Sequence, residues 1–135
     1  MKFSELQDKL DEDVKIDPSK LIEETAENLR KHAWWIRRLS EERAKYRHAN
    51  SEMLAVMKDR YNYYAGYSNT PYDYNLDARA IKYNLEGDDV VLAKQKEINM
   101  IQLRLELIEK ACDLMVSRGF AIKNQIELTK LYHGG

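Results

Sequence analysis

The sequence predicts an all-α protein: a short N-terminal helix, a long kinked or broken central helix, and a long C-terminal helix that forms an oligomeric helical assembly. Three observations carry this. Turn formers are scarce, with five Gly and two Pro in 135 residues, and few turns over such a length leave a few long elements. No Gly or Pro interrupts the chain from Ser19 to Ala65. In the last third, apolar residues recur at alternating steps of three and four, the period of one helix face.

Residues 2–13 read as an amphipathic helix with Phe3, Leu6 and Leu10 on one face. Asp17-Pro18 reads as the next helix start, an N-cap acid followed by Pro at the first helical position. A helix running unbroken to Ala65 would extend about 70 Å at about 1.5 Å per residue, so it must bend, break or project. Its first half carries the stripe Ile22, Ala26, Leu29, Ala33 and Ile36. Beyond Leu39 the stripe drifts toward Met53, Met57 and Tyr64, and Arg43 and Arg47 intrude. A kink or break is therefore expected between Leu39 and Ser51.

Gly66 to Pro71 is the clearest loop, and Asp73 to Leu85 reads as a short helix. Glu86-Gly87-Asp88-Asp89 ends it and caps the next. The last helix runs from about Val90 to Tyr132. Ile98, Ile101, Leu105, Ile108, Cys112, Met115, Gly119, Ile122 and Ile126 form a sustained heptad seam. Gly119 on that seam permits a bend or a close helix approach. A second row, Leu103, Leu107, Leu114, Ala121 and Leu128, occupies another face. One seam suffices to pack a helix onto its own protomer. Two suggest burial by something further, with a second copy of the chain the plain candidate and a helix central in its own bundle the alternative.

At 44% hydrophobic and 33% charged residues the chain is globular. Its one cysteine, Cys112, forms no intrachain disulfide and fits a reducing cytosol. Met1 to Leu10 lacks an apolar run of signal-peptide length, and no segment approaches the ~20 apolar residues that span a bilayer. The net charge of −1 hides an uneven distribution. Residues 1–29 hold four Lys and nine acids, residues 30–60 nine cations and four acids, and residues 61–135 nine cations and ten acids. A basic middle on a near-neutral chain can attract a polyanion locally, or can be a solvated helix face with balancing charge.

Nothing in the sequence assembles a catalytic site, and neither a cofactor nor a metal is expected. His32, His48 and His133 are far apart, and none sits in a His-Glu-x-x-His pattern. The glycines lack the spacing of a phosphate loop. Ser117 and Cys112 have no adjacent base, and Cys112 lies on the apolar seam. Asp73, Asp88 and Asp89 could be imagined around two metals, but helix capping explains them with less.

Binding chemistry is concentrated in two places. Arg30, Lys31, Arg37, Arg38 and Lys45 share a face opposite the Ile22–Ile36 stripe, with Trp34 in its middle and Trp35 on its flank. Trp34 could stack a base between guanidinium groups, or it could pack on the N-terminal helix or another subunit. The denser signal is Met57-Lys58-Asp59-Arg60-Tyr61-Asn62-Tyr63-Tyr64-Ala65-Gly66, and six of the nine tyrosines lie between Tyr61 and Tyr74. Single-stranded nucleic acid is held by cations on phosphates and aromatic faces under bases. On one helix, however, Lys58 and Arg60 point about 200° apart, so one flat face cannot carry both directly. The alternative is a tyrosine-rich helix end packed as core.

At these residues the chain resembles the UvsY family of recombination mediators of T-even-type bacteriophages. The most specific pieces are Asp13-Val14-x-Ile16-Asp17, Lys58-x-Arg60-x-x-Tyr63-Tyr64-x-Gly66 and Ser117-Arg118-Gly119-Phe120-Ala121-Ile122-Lys123. The middle piece is similar to the family's DNA-binding motif, Leu-Lys-Ala-Arg-Leu-Asp-Tyr-Tyr. Lys58, Arg60, Tyr63 and Tyr64 match it, whereas Met57, Asp59, Tyr61 and Asn62 depart. The resemblance implies no enzyme but a ring-forming homo-oligomer, typically a heptamer, assembled through the C-terminal helix. It implies binding of single-stranded DNA, weakening of a single-strand-binding-protein coat, and loading of a RecA-like recombinase in the cytoplasm of an infected bacterium. Lys58 and Arg60 would then contact phosphates, with Tyr63 or Tyr64 stacking on bases. The matching division is an N-terminal region over 1–70 bearing the DNA-binding motif at 57–66, a connection over 71–87, and an oligomerisation helix over 88–135. The competing reading is a helical protein–protein adaptor that binds no DNA.

Overall fold

The computed structural model describes residues 1–134. Among them the chain forms four helices and no strand: α1 (Phe3–Asp13), α2 (Leu21–Ala65), α3 (Ala78–Glu86) and α4 (Asp89–Tyr132). The all-helical class read from the scarcity of turn formers is therefore observed.

The helix ends follow local chemistry. Asp17 does not cap a helix opening at Pro18. Its carboxylate accepts hydrogen bonds from the Ser19 hydroxyl (2.6 Å) and amide (2.9 Å), which hold its pKa below the ordinary carboxylate value. The side chain is thereby committed to a turn, and α2 opens only at Leu21. At the far end of α2, Gly66 adopts φ 85°. The Gly66 amide donates to the Tyr63 carbonyl (3.2 Å) and the Tyr67 amide to the Asn62 carbonyl (2.8 Å). This is the Schellman pairing, and it needs the left-handed conformation that glycine adopts without strain. The short helix expected from Asp73 starts later because Asp77 supplies the cap, its carboxylate accepting from the Ala80 amide at 2.8 Å. Asp88 does the same for α4, accepting from the amides of Val90 (2.9 Å) and Val91 (3.1 Å).

Of the kink or break expected between Leu39 and Ser51, a break is absent, since α2 is continuous across it. The inward face of α2 also differs from the expected apolar stripe. Ile22 is 82% exposed and Leu29 71%, with Ala26, Ala33 and Ile36 exposed as well. The buried row is instead Asn28, Trp35, Glu42 and Ala49, a strict heptad one residue back from the predicted stripe. That offset turns the inward face by about 100°. The difference has a physical source, because two of the four buried positions are polar and an apolar pattern cannot register them. In α4 the expected seam is inward, with Ile98, Ile101, Leu105, Ile108, Met115 and Ile122 all buried.

The chain packs as two units. One comprises Met1–Glu42 with the stretch from Leu103 onward, and the other is Arg43–Gln102. In the first, Leu6, Trp35, Ile108, Ala111 and Met115 are sealed from solvent, with Leu10, Trp34, Leu39, Leu107 and Cys112 packed around them. Burying each large side chain contributes roughly 1.5–3 kcal/mol. A polar network threads this core. The Trp35 indole N–H donates to Asp13 (2.9 Å). Buried Arg118 donates to the Lys15 carbonyl (2.7 Å), the Asn28 amide oxygen (3.0 Å) and Glu24. The Asn28 amide nitrogen donates in turn to the Met115 carbonyl (3.0 Å). Buried Glu42 pairs with Arg104 and Arg38. Such polar groups are tolerated inside because they are partnered. The second unit buries Ala49, Ile81, Val91, Ile98 and Ile101 around the end of α2 and the start of α4.

Candidate nucleic-acid interface

The cation-and-tyrosine stretch lies in the second unit, on the last turns of α2 and the loop that follows. Lys58 is exposed, as is Asp59 beside it. Arg60 points elsewhere, as the helical spacing required. Its Nε donates to the Asp88 carboxylate at 2.9 Å, and its side chain stays 25% exposed. The guanidinium lies over the Tyr63 ring, 4.4 Å from the centroid, and 5.6 Å from that of Tyr64. The Tyr64 hydroxyl donates to the same Asp88 oxygen at 2.7 Å.

Asp88 thus serves four donors: two backbone amides that open α4, one guanidinium and one phenol. Burial alone would push its carboxyl up. The Tyr64 hydroxyl, the Val91 amide and Arg60 outweigh burial and hold the group below the ordinary carboxylate value. The Asp88 hydrogen bond raises Arg60, while burial and Asp88 together raise Tyr64. At neutral pH the cluster is therefore a carboxylate, a guanidinium and a neutral phenol. Asp88 takes only the Nε edge of the guanidinium, which leaves the terminal nitrogens to a second acceptor such as a phosphate.

The tyrosines form a connected group. Tyr63, Tyr64 and Tyr72 meet edge-on with centroids 5.1–5.7 Å apart, and Tyr74 lies 5.5 Å from Tyr72. The Tyr72 amide donates to the Tyr63 carbonyl (3.1 Å), which ties the loop back to the helix end. Tyr63, Tyr64 and Tyr72 are half-buried, whereas Tyr67 and Tyr74 project into solvent.

The second basic region is arranged differently. Trp35 is fully buried, and Trp34 is half-buried beneath the Lys9 ammonium at 4.4 Å. Arg38 pairs with Glu41 and Glu42. Packing on the N-terminal helix is thus the reading that holds for Trp34. Among the described residues no cluster of three His, Cys, Asp or Glu side chains could hold a metal, and no helix is long and apolar enough to cross a membrane.

Residues 9–135 match the family model described as recombination, repair and ssDNA binding protein UvsY. The chain belongs to the UvsY family. Over 127 residues it is 28% identical to the recombination protein uvsY of Enterobacteria phage T4, covering 92% of each chain. It superposes on crystal structures of the phage T4 recombination mediator protein UvsY. One matches with a TM-score of 0.89 and 27% identity over 100% of this chain and 99% of that one. Another crystal form gives 0.77 and 26% over the whole of both chains. The family is one of recombination, repair and single-stranded DNA binding.

In the sequence Asp88 reads as a helix cap, and Tyr72 only as one of the six tyrosines between Tyr61 and Tyr74. No spacing rule links Asp88 to Arg60, 28 positions away.

Proposed function

We propose that this chain is a recombination mediator that grips the phosphates of single-stranded DNA with Lys58 and Arg60, weakens a single-strand-binding-protein coat, and promotes loading of a RecA-like recombinase. The observation that supports the DNA contact is the pairing of an exposed Lys58 with a part-exposed Arg60 whose hydrogen bond to Asp88 uses its Nε. Asp88 fixes the guanidinium while Tyr63 backs it, so little side-chain freedom remains to be lost when a phosphate arrives. In this reading Tyr63 and Tyr64 build the wall that aims Arg60.

Lys58 and Arg60 diverge around one helix, so a single protomer makes a weak site. A ring homo-oligomer, with seven copies expected from the family resemblance, would multiply it into avidity. Supporting this, two apolar rows remain uncovered in the first unit: Ile22, Leu29 and Ile36 on α2, and Leu103, Leu114 and Leu128 on α4. At Leu29 an open, mainly apolar groove of about 490 Å³ is lined also by Asn28, Gly119, Ile122 and Ile126. Exposed apolar surface of this kind is characteristic of protein interfaces. Such a ring, acting in the cytoplasm of an infected bacterium, would bend or re-present a wrapped strand to the recombinase.

The test is fluorescence anisotropy with a labelled single-stranded oligonucleotide at several salt concentrations. The wild-type chain should bind more weakly as salt rises. Lys58→Ala and Arg60→Ala should each lower the slope of log K against log salt by about 0.7 for every phosphate left without its cation. An unchanged affinity and slope in the double variant would remove both residues from the site. Salt-insensitive or absent binding by the wild-type chain would favour a protein–protein adaptor. Release of labelled single-strand-binding protein from DNA on addition of this chain tests the mediator step.

A further inference from the structure

We propose that the bases of a bound single strand stack on Tyr74, with Tyr67 as a second platform on the same loop, and not on Tyr63 or Tyr64. This rests on the single-stranded DNA reading above. Stacking requires an aromatic face open to solvent. Tyr63 has a guanidinium over its ring at 4.4 Å and meets Tyr64 and Tyr72 edge-on. Tyr64 is flanked by the same rings and anchored through its hydroxyl to Asp88. Inserting a base at either would displace Arg60 or break the Asp88 contact, removing the cation that is to hold the phosphate.

Tyr74 and Tyr67 have what the inner pair lacks. They are 69% and 77% exposed. They are also presented by an ordered backbone. The Tyr67 amide is held by the Asn62 carbonyl and the Tyr72 amide by the Tyr63 carbonyl, so the loop closes against the end of α2. Tyr74 leans on Tyr72 at 5.5 Å with planes 59° apart, and Tyr72 contacts both inner rings. A continuous line of rings therefore runs from the guanidinium of Arg60 outward through Tyr63 and Tyr72 to Tyr74. A strand whose phosphate sits at Arg60 would find the solvent-facing end of that line beside it. The occupant is an unpaired nucleobase because the exposed platform is aromatic and ends a line of rings that begins at the Arg60 guanidinium, the group proposed to hold the phosphate. Stacking of this kind tolerates any base.

The experiment compares a labelled oligodeoxynucleotide with an abasic strand of the same length and phosphate number, both titrated against the full chain. The wild-type chain should prefer the intact strand. Tyr74→Ala should lower affinity for the intact strand about 5- to 150-fold, leave the abasic strand nearly unaffected, and keep the salt slope. Tyr67→Ala should act in the same sense. Tyr74→Phe, which keeps the ring and loses the hydroxyl, should restore the preference. Circular dichroism checks that the surface substitutions leave the fold intact. If the wild-type chain binds both strands equally, or if Tyr74→Ala keeps the full preference, the assignment is overturned although DNA binding stands. If the wild-type chain shows no salt-sensitive binding to either strand, the DNA reading itself fails.

Discussion

Replacing Asp88 should unsettle more of the second unit than any other single surface-proximal change, and the size of the effect follows from its separate hydrogen bonds. Asp88→Ala removes the N-cap of α4, typically about 1 kcal/mol. It also removes a charge-assisted hydrogen bond from the Tyr64 hydroxyl, about 1.5 kcal/mol. Arg60 loses its partner, but its side chain is 25% exposed and can be rehydrated. That loss is therefore nearer about 1 kcal/mol than the several expected of a sealed pair. Because these interactions share one carboxylate they do not add fully, and about 3 kcal/mol is the expected total. Asp88→Asn keeps the capping oxygen but puts an NH2 donor where the other oxygen accepts from Arg60 and Tyr64, so the cap survives, both side-chain hydrogen bonds are lost, and about 2 kcal/mol is expected. The assay is urea unfolding at fixed protein concentration, reading the midpoint at constant slope. Acid titration adds a signature. Asp88 titrates lower in the folded chain than unfolded, so its contribution is complete above the ordinary carboxylate value and is lost as pH falls through the depressed one. The wild-type advantage over Asp88→Asn should shrink on that acid side. Equal effects for Ala and Asn, each below about 0.5 kcal/mol as for an ordinary surface substitution, would refute the network.

Other perturbations probe the first unit. Arg118→Met should cost about 3 kcal/mol, because it takes the guanidinium away from the buried Asn28 amide oxygen and the part-buried Glu24 carboxylate. Differential scanning calorimetry reads this as a large fall in Tm. Gly119→Ala should destabilise by about 1–3 kcal/mol. A Cβ there would lie 3.0 Å from the Asn28 amide nitrogen, which is already committed to the Met115 carbonyl; the unfolding midpoint checks it. Leu114→Glu, on the uncovered row of α4, should leave the helical circular-dichroism signal intact while lowering the native mass of the particle. An unchanged mass would remove that row from any interface.

Legibility in the sequence tracks whether burial is apolar and whether partners are near in the chain. The α4 seam is readable because most of its inward positions are Ile, Leu and Met, although Ala111 and Arg118 turn inward beside it. The caps at Gly66, Asp77 and Asp88 obey local backbone rules, although Asp73 competes with Asp77 as a helix start and Asp17 turns inward on Ser19. The inward face of α2 is not readable. Asn28 and Glu42 belong inside only because Arg118 and Arg104 arrive from the other end of the chain, 90 and 62 positions away. Trp35 looks like the flank of a basic face because its partner, Asp13, comes from α1. At the candidate site the divergence of Lys58 and Arg60 follows from helical spacing alone. The carboxylate on which Arg60 rests needs the third dimension.

One carboxylate opens α4 and also holds Arg60, so the two events cannot be independent. In the proposed reading, a phosphate on the terminal nitrogens of Arg60 would draw charge from the oxygen that Tyr64 shares, and so alter the acceptor strength of the other oxygen, which caps the Val90 and Val91 amides. The exchange of those two amide protons with solvent would then gauge strand occupancy. It can be read by mass spectrometry or NMR without placing any label near the DNA.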